Sequence, residues 1–178
     1  MRRLIISVLV ACCAPLPGST LLHLSLNDMI GKSTTIVHGT VQPTYSAFRG
    51  TMIYTHYQVH VTATYKGSPL PSIDLAVPGG VVNEVQQAVA GAPMLTPGQD
   101  YVLFLWTSKT GLTQVIGLSQ GVFYVTSNSS GQLMVSRGAS SEIMLNASGQ
   151  MINDSSIQMT LAQMGRYIQS VLAGGPGK

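Results

Sequence analysis

Charge is scarce in this chain. Only 8% of its residues are Asp, Glu, Lys or Arg. That excludes disorder of the highly charged kind. It also argues against nucleic-acid binding, which needs clustered cations to displace condensed counterions. Lys32, Arg49, Lys66, Lys109, Arg137, Arg166 and Lys178 are scattered and form no basic stripe. The pI near 9.0 owes part of its height to Arg2 and Arg3 at the extreme N-terminus. Cysteine is nearly missing as well. The only two, Cys12 and Cys13, are adjacent and lie in the first nineteen residues. Without that stretch the chain has no disulfide, no thiolate metal site and no thiol nucleophile. Long hydrophobic runs are absent too. Leu4 to Ala11 falls far short of the roughly 20 residues a membrane helix needs, and Pro15 and Pro17 interrupt the segment after it.

That same N-terminal stretch has a positive identity. Met1-Arg2-Arg3 is basic, Leu4 to Ala11 is apolar, and Cys12 to Ser19 is small and turn-rich. This order is the pattern of a signal peptide. Residues 1–19 are expected to be removed on export, which makes the protein secreted or periplasmic. Leu9-Val10-Ala11-Cys12 also fits a bacterial lipobox, so the alternative is a membrane-tethered lipoprotein anchored through an acylated Cys12. Residues 20–178 suit one domain, since no charged or low-complexity linker divides them.

Hydrophobic periodicity predicts a mainly β domain. Ser25 to Lys32 reads as a short helix, with Ser25 as cap and Asp28 completing a capping box. Thr34 to Val41 is β-branched and predicts a strand, and Gln42 to Gly50 a loop or bulged edge. Thr51 to Tyr65 alternates with period two: Ile53, Thr55, Tyr57, Val59 and Val61 face a core, while Tyr54, His56, Gln58 and His60 face solvent. Its length predicts a bulge. Ser72 to Val77 predicts a further strand, and Val81 to Val89 another by its β-branched content, although Val81, Val85 and Val89 at spacing four also suit a helix. Tyr101 to Trp106 is apolar on both faces, which predicts a central strand covered on both sides. Short strands follow at Leu112–Ile116, Gly121–Thr126, Gln132–Ser136 and Glu142–Leu145. Thr160, with Gln163 in the capping-box position, starts a helix over about 160–173. Its stripe of Leu161, Met164, Ile168, Val171 and Leu172 is the expected cover of the sheet.

Chemical signatures are weak. Gly117-Leu118-Ser119-Gln120-Gly121 matches the G-x-S-x-G of a hydrolase nucleophile elbow. That motif requires a helix after the serine, and here another strand follows. All four histidines precede Ser119. A serine hydrolase using Ser119 is therefore an alternative, beside a plain turn between strands. His56 and His60 share a strand face about 13 Å apart, too far for one ion. The six carboxylates are dispersed and predict no acid–base dyad. No metal site or cofactor is expected. Asn128, Asn146 and Asn153 begin N-x-Ser sequons and read as loop residues. Tyr54, His56 and His60 are the candidate binding residues, on a polar-aromatic sheet face.

Ser33 to Val41, Tyr65-Lys66-Gly67, Pro78-Gly79-Gly80, Gly91-Ala92-Pro93 with Pro97-Gly98, Tyr101 to Leu105 and Gly117 to Phe123 resemble a group of uncharacterised exported bacterial proteins. Their order also resembles the OB-like barrel of netrin-like domains and tissue metalloproteinase inhibitors. Those inhibitors act through an N-terminal cysteine and carry disulfides, which residues 20–178 lack. The resemblance implies an antiparallel OB-like β-barrel with a short N-terminal helix and a packed C-terminal helix, and no activity. The expectation is an exported, non-enzymatic binding or interaction module whose partner is an unknown protein or glycan.

Overall fold

The computed structural model describes residues 20–174. The expected signal peptide and Cys12 lie outside the described residues. β1 (Thr20–Leu22) leads into α1 (Leu26–Lys32). The Ser25 hydroxyl accepts the Asp28 N–H at 3.1 Å, and the Asp28 carboxylate accepts the Ser25 N–H at 3.1 Å. The Ser25 hydroxyl also donates to that carboxylate at 2.5 Å, and this bond, helped by the Ser25 N–H, holds the Asp28 carboxyl below its usual range. At the other end of α1, the Lys66 ammonium donates to the carbonyls of Ile30 (2.6 Å) and Gly31 (3.0 Å). These carbonyls have no partner within the helix, and a cation there also suits the helix dipole.

β2 (Thr35–Arg49) and β3 (Met52–Lys66) form one long hairpin around the two-residue turn Gly50-Thr51. Of the two readings of Gln42 to Gly50, loop or bulged edge, the structure has the bulged edge, followed by the turn at Gly50. Pro43 sits where the register slips between Val41 and Thr44. A residue with no N–H is tolerated at such a bulge. The expected bulging of β3 is present as well, as register shifts opposite Ile36/Val37 and His38/Gly39. At Gly39 a side chain would collide with the His60 carbonyl oxygen, so glycine lets the two strands approach closely there.

β4 (Ser72–Pro78) extends the meander. Val81 to Val89 is β structure, but as a hairpin, β5 (Gly80–Val82) with β6 (Val85–Gln87). Its turn residues Asn83 and Glu84 take φ of 47° and 67°. β7 (Asp100–Thr107), β8 (Thr113–Val115), a 3-10 turn (Leu118–Gly121), β9 (Val122–Ser127) and β10 (Leu133–Arg137) follow. The chain then forms β11 (Ile143–Leu145), β12 (Met151–Ile152), β13 (Ile157–Thr160) and α2 (Leu161–Leu172). The main sheet is antiparallel in the order β13-β10-β9-β7-β2-β3-β4, with β8 pairing β7. A small sheet joins β1, β11 and β12, the first pair parallel. The architecture is thus mainly β with two helices. β4 and β8 lie close together, but no hydrogen-bonded ladder joins them. Closure into a barrel is therefore not observed among the described residues. β8 is only three residues long and spends its pairing on β7.

β7 is buried from Tyr101 to Leu105, as its two-sided apolar pattern predicts, but Trp106 at the end of that run is exposed. Tyr101, Leu103 and Leu105 pack with Val37, Val41, Val59 and Leu75 inside the curved sheet. Val102 and Phe104 point the other way, to Met29 and Ile30 of α1 and Met164 and Ile168 of α2. The C-terminal helix is the cover its stripe predicts, with Leu161 and Val171 at the margin of that core and Leu172 turned to solvent.

Three hairpin turns share one chemistry. In Ser108–Leu112, Asn128–Gln132 and Asn146–Gln150, the first side-chain oxygen accepts the fifth N–H at 3.1, 2.9 and 2.9 Å. The fourth residue is a glycine with φ of 82°, 75° and 76°. Asn128 and Asn146 are thus turn-formers, and Ser or Asn at the first position does the same work.

Truncating Phe104 to Ala should cost about 3–5 kcal/mol, because it opens a cavity between β7 and the helices. Trp106→Ala, at the exposed end of the same strand, should cost well under half as much. Urea titration of the two variants beside the parent checks the contrast.

Candidate functional site

The outer face of β2, β3 and β4 carries the candidate residues. Alternation along β3 turns Tyr54, His56, Gln58 and His60 away from the inner core. The register sets Tyr45 of β2 and Ala76 of β4 on either side of His56. Ala47 and Pro78 flank Tyr54, and Thr40 and Ser72 flank His60. The predicted residues Tyr54, His56 and His60 therefore share one face but meet at no common point.

His56 is the organised member. Its ring stacks on Tyr45 with centroids 4.8 Å apart and planes 4° from parallel. Its Nδ1 lies 3.0 and 3.1 Å from the two Asp74 carboxylate oxygens. A carboxylate only accepts, so Nδ1 is the donor of this pair. Tyr45 remains 53% exposed beside this pair. Residue pattern alone misses Tyr45 and Asp74. A signal for Tyr45 is present in the chain: a two-residue turn at Gly50-Thr51 pairs Arg49 with Met52, and counting back places Tyr45 opposite His56. Asp74 is a diagonal neighbour on β4 and requires the β3–β4 register.

Ser119 lies elsewhere, in the 3-10 turn, with its N–H donating to the Gly91 carbonyl at 3.1 Å. It lines a cavity of about 460 Å³ with Tyr124, Arg137, Ser140 and Glu142, and no histidine lines that cavity. The flanking residues of G-x-S-x-G have packing roles. A side chain at Gly117 would crowd Leu24 at 2.9 Å, and one at Gly121 would meet the Ile116 carbonyl at 2.7 Å. Gln120 is buried and staples β1 to the sheet, accepting the Leu24 N–H at 2.8 Å and donating to the Leu22 carbonyl at 3.0 Å.

Two buried polar groups contribute to the response to acid. Asp154 takes both terminal nitrogens of Arg137 at 3.0 and 3.1 Å and the Ser140 N–H at 2.8 Å. Burial alone would raise its carboxyl, but the Ser140 N–H and Arg137 outweigh burial and hold it below the ordinary value. His38 is buried beside Asp100, whose Oδ2 lies 3.8 Å from its Nε2. Burial pushes the imidazole pKa down, and Asp100 pulls more weakly in the other direction. Among the described residues no group of three or more His, Cys, Asp or Glu gathers as a metal site. No described helix is long and apolar enough to cross a membrane.

The acid response has a definite sign. His38 binds a proton more readily in the unfolded chain than in the folded one. Its contribution is complete above the ordinary histidine value of 6.5 and is lost as pH falls through it. Thermal melts between about pH 7.5 and 5.5 should show the midpoint falling with acid, and His38→Gln should flatten that slope. Replacing Asp154 with Asn should cost about 3–5 kcal/mol at neutral pH, read by urea titration, because it strands the buried Arg137 charge. No family model, curated protein or solved structure matches this chain.

Proposed function

We propose that the protein is an exported, non-enzymatic binding module that engages a protein or glycan through the outer face of β2, β3 and β4. The observation that carries this reading is the Tyr45–His56–Asp74 arrangement. These side chains belong to neither core cluster, yet they hold one another in one geometry. A preorganised group loses less conformational freedom when a partner arrives. An exposed aromatic ring beside hydrogen-bonding groups offers a partner both apolar contact and direction. The export part of the reading rests on the basic, apolar and small segments of residues 1–19. The OB-like barrel is part of the same proposal. It is supported by the long bent hairpin of β2 and β3 and by the approach of β4 to β8.

The hydrolase alternative has less support, because no histidine lines the cavity that holds Ser119. The lipoprotein alternative rests on Leu9 to Cys12 and concerns how the module is held, not what it binds. Intact mass of the exported product separates cleavage near Thr20 from an acylated Cys12.

Glycan and peptide arrays probed with parent, Tyr45→Ala, His56→Ala and Ser119→Ala check the reading. The first two substitutions should cut binding about tenfold or more while leaving the melting midpoint nearly unchanged. Ser119→Ala should bind like the parent, and neither should turn over generic esters. Undiminished binding by Tyr45→Ala and His56→Ala together would refute the face.

A further inference from the structure

Part of β2 has a hydrogen-bonded neighbour on one side only, with Gly80 of β5 packed against Ser46 and Thr55. From Thr35 to Thr40 the strand lies between β7 and β3. Past the bulge at Gln42-Pro43, from Thr44 to Arg49, it pairs with β3 alone. Among the described residues no other backbone hydrogen-bonds to that stretch. Antiparallel strands direct alternate N–H and C=O groups to their two sides. The stretch therefore carries a row of backbone donors and acceptors toward solvent.

Three other strand edges are less available. β4 is shielded by β8, β12 is two residues long, and β13 runs directly into α2. Free edges are usually blunted by lysine, proline, inward charges or bulges. Here Pro43 and the bulge blunt only the upstream end. Thr44-Tyr45-Ser46-Ala47-Phe48 contains no charge and no proline, and the Arg49 guanidinium is drawn aside to Thr110 at 3.1 Å. Tyr45 and Phe48 project to opposite faces of the strand and are 53% and 48% exposed.

We propose that the Thr44–Arg49 edge of β2 is a docking edge for an extended peptide segment of another protein, which adds as a further strand between Tyr45 and Phe48. The proposal rests on the binding-module reading and names its partner. Backbone chemistry selects the occupant. A row of amides and carbonyls at strand spacing is matched, group for group, by another extended backbone. Exposed aromatics on both faces give the added strand apolar contact whichever way its side chains point. The near absence of charge on the edge selects an uncharged, apolar-alternating segment. A second copy paired through this edge alone would bury far less than the roughly 1,200 Å² of a stable interface.

Peptides selected from a random linear display library against the full chain, then resynthesised, supply the probe. The bound peptide should slow amide hydrogen exchange within residues 44–49. Methylating the peptide's backbone nitrogens on one alternation should weaken binding about tenfold or more, and on the other alternation hardly at all. Tyr45→Ala and Phe48→Ala should each weaken it several-fold with unchanged melting midpoints. Failure to select any binder, protection confined to other residues, or equal sensitivity to both methylation patterns would overturn the proposal. So would a concentration-dependent dimer protecting the same amides, which puts a second copy on the edge. A glycan ligand lost on Tyr45→Ala, with no peptide binder, would overturn strand addition while leaving the binding-module reading in place.

Discussion

Everything in this fold is arranged around a strand that has no wet side. Tyr101 to Leu105 is buried on both faces, and a strand of that kind must be covered twice. The curled part of the sheet covers the face of Tyr101, Leu103 and Leu105, and the two helices cover Val102 and Phe104. The helices are in turn held by polar ties at their margins. Lys66 closes α1, Gln169 reaches the Tyr65 carbonyl at 2.9 Å, and the Tyr167 hydroxyl donates to Asn27 at 2.8 Å. The end of β3 and both helices thus form one unit with β7. Packing and hydrogen bonding do this without any disulfide among the described residues, which contain no cysteine.

The long hairpin of β2 and β3 serves two environments, and its bulges make that possible. A regular pair of this length would coil in one direction only. Extra residues sharpen the twist locally and re-aim the rest of the strand. The first part of β2 lies inside the main sheet beside β7, and the part beyond Pro43 runs along its edge, paired with β3 alone. One covalent element therefore contributes Val37 and Val41 to the core and presents Tyr45 and Phe48 to solvent. Candidate site and core are two ends of the same strand.

Much of this is legible from residue pattern, and the failures have common causes. Both capping boxes, at Ser25 and Thr160, are legible because a cap is a local interaction between residues three apart. The alternation of β3 and the two-sided burial of β7 are legible because strand periodicity is local too. Gln42 to Gly50 reads as a loop or bulged edge because Pro43 and Gly50 are strong local breakers. Both keep their local effect, Pro43 in a bulge and Gly50 in the turn, and cross-strand pairing with β3 decides for the bulged edge over the loop. Gln120 looks like filler in a serine motif, yet it is a buried staple to the chain just after β1, nearly a hundred positions away in sequence. Of the candidate site, residue pattern finds His56 and not its partners.

The amino-acid sequence by itself determined both helices, most of the longer strands with their apolar faces, and many of the turns, though not the turn at Asn83-Glu84 or the short strands β1, β12 and β13. Those properties depend on backbone sterics and side-chain polarity over a few neighbouring residues. Only the tertiary structure decided which strand lies beside which. That choice made Asp154 the partner of Arg137, set Asp74 and Tyr45 on either side of His56, and left Thr44 to Arg49 with one hydrogen-bonded neighbour. Register and adjacency are won by summed burial over the whole sheet, a quantity no local window contains.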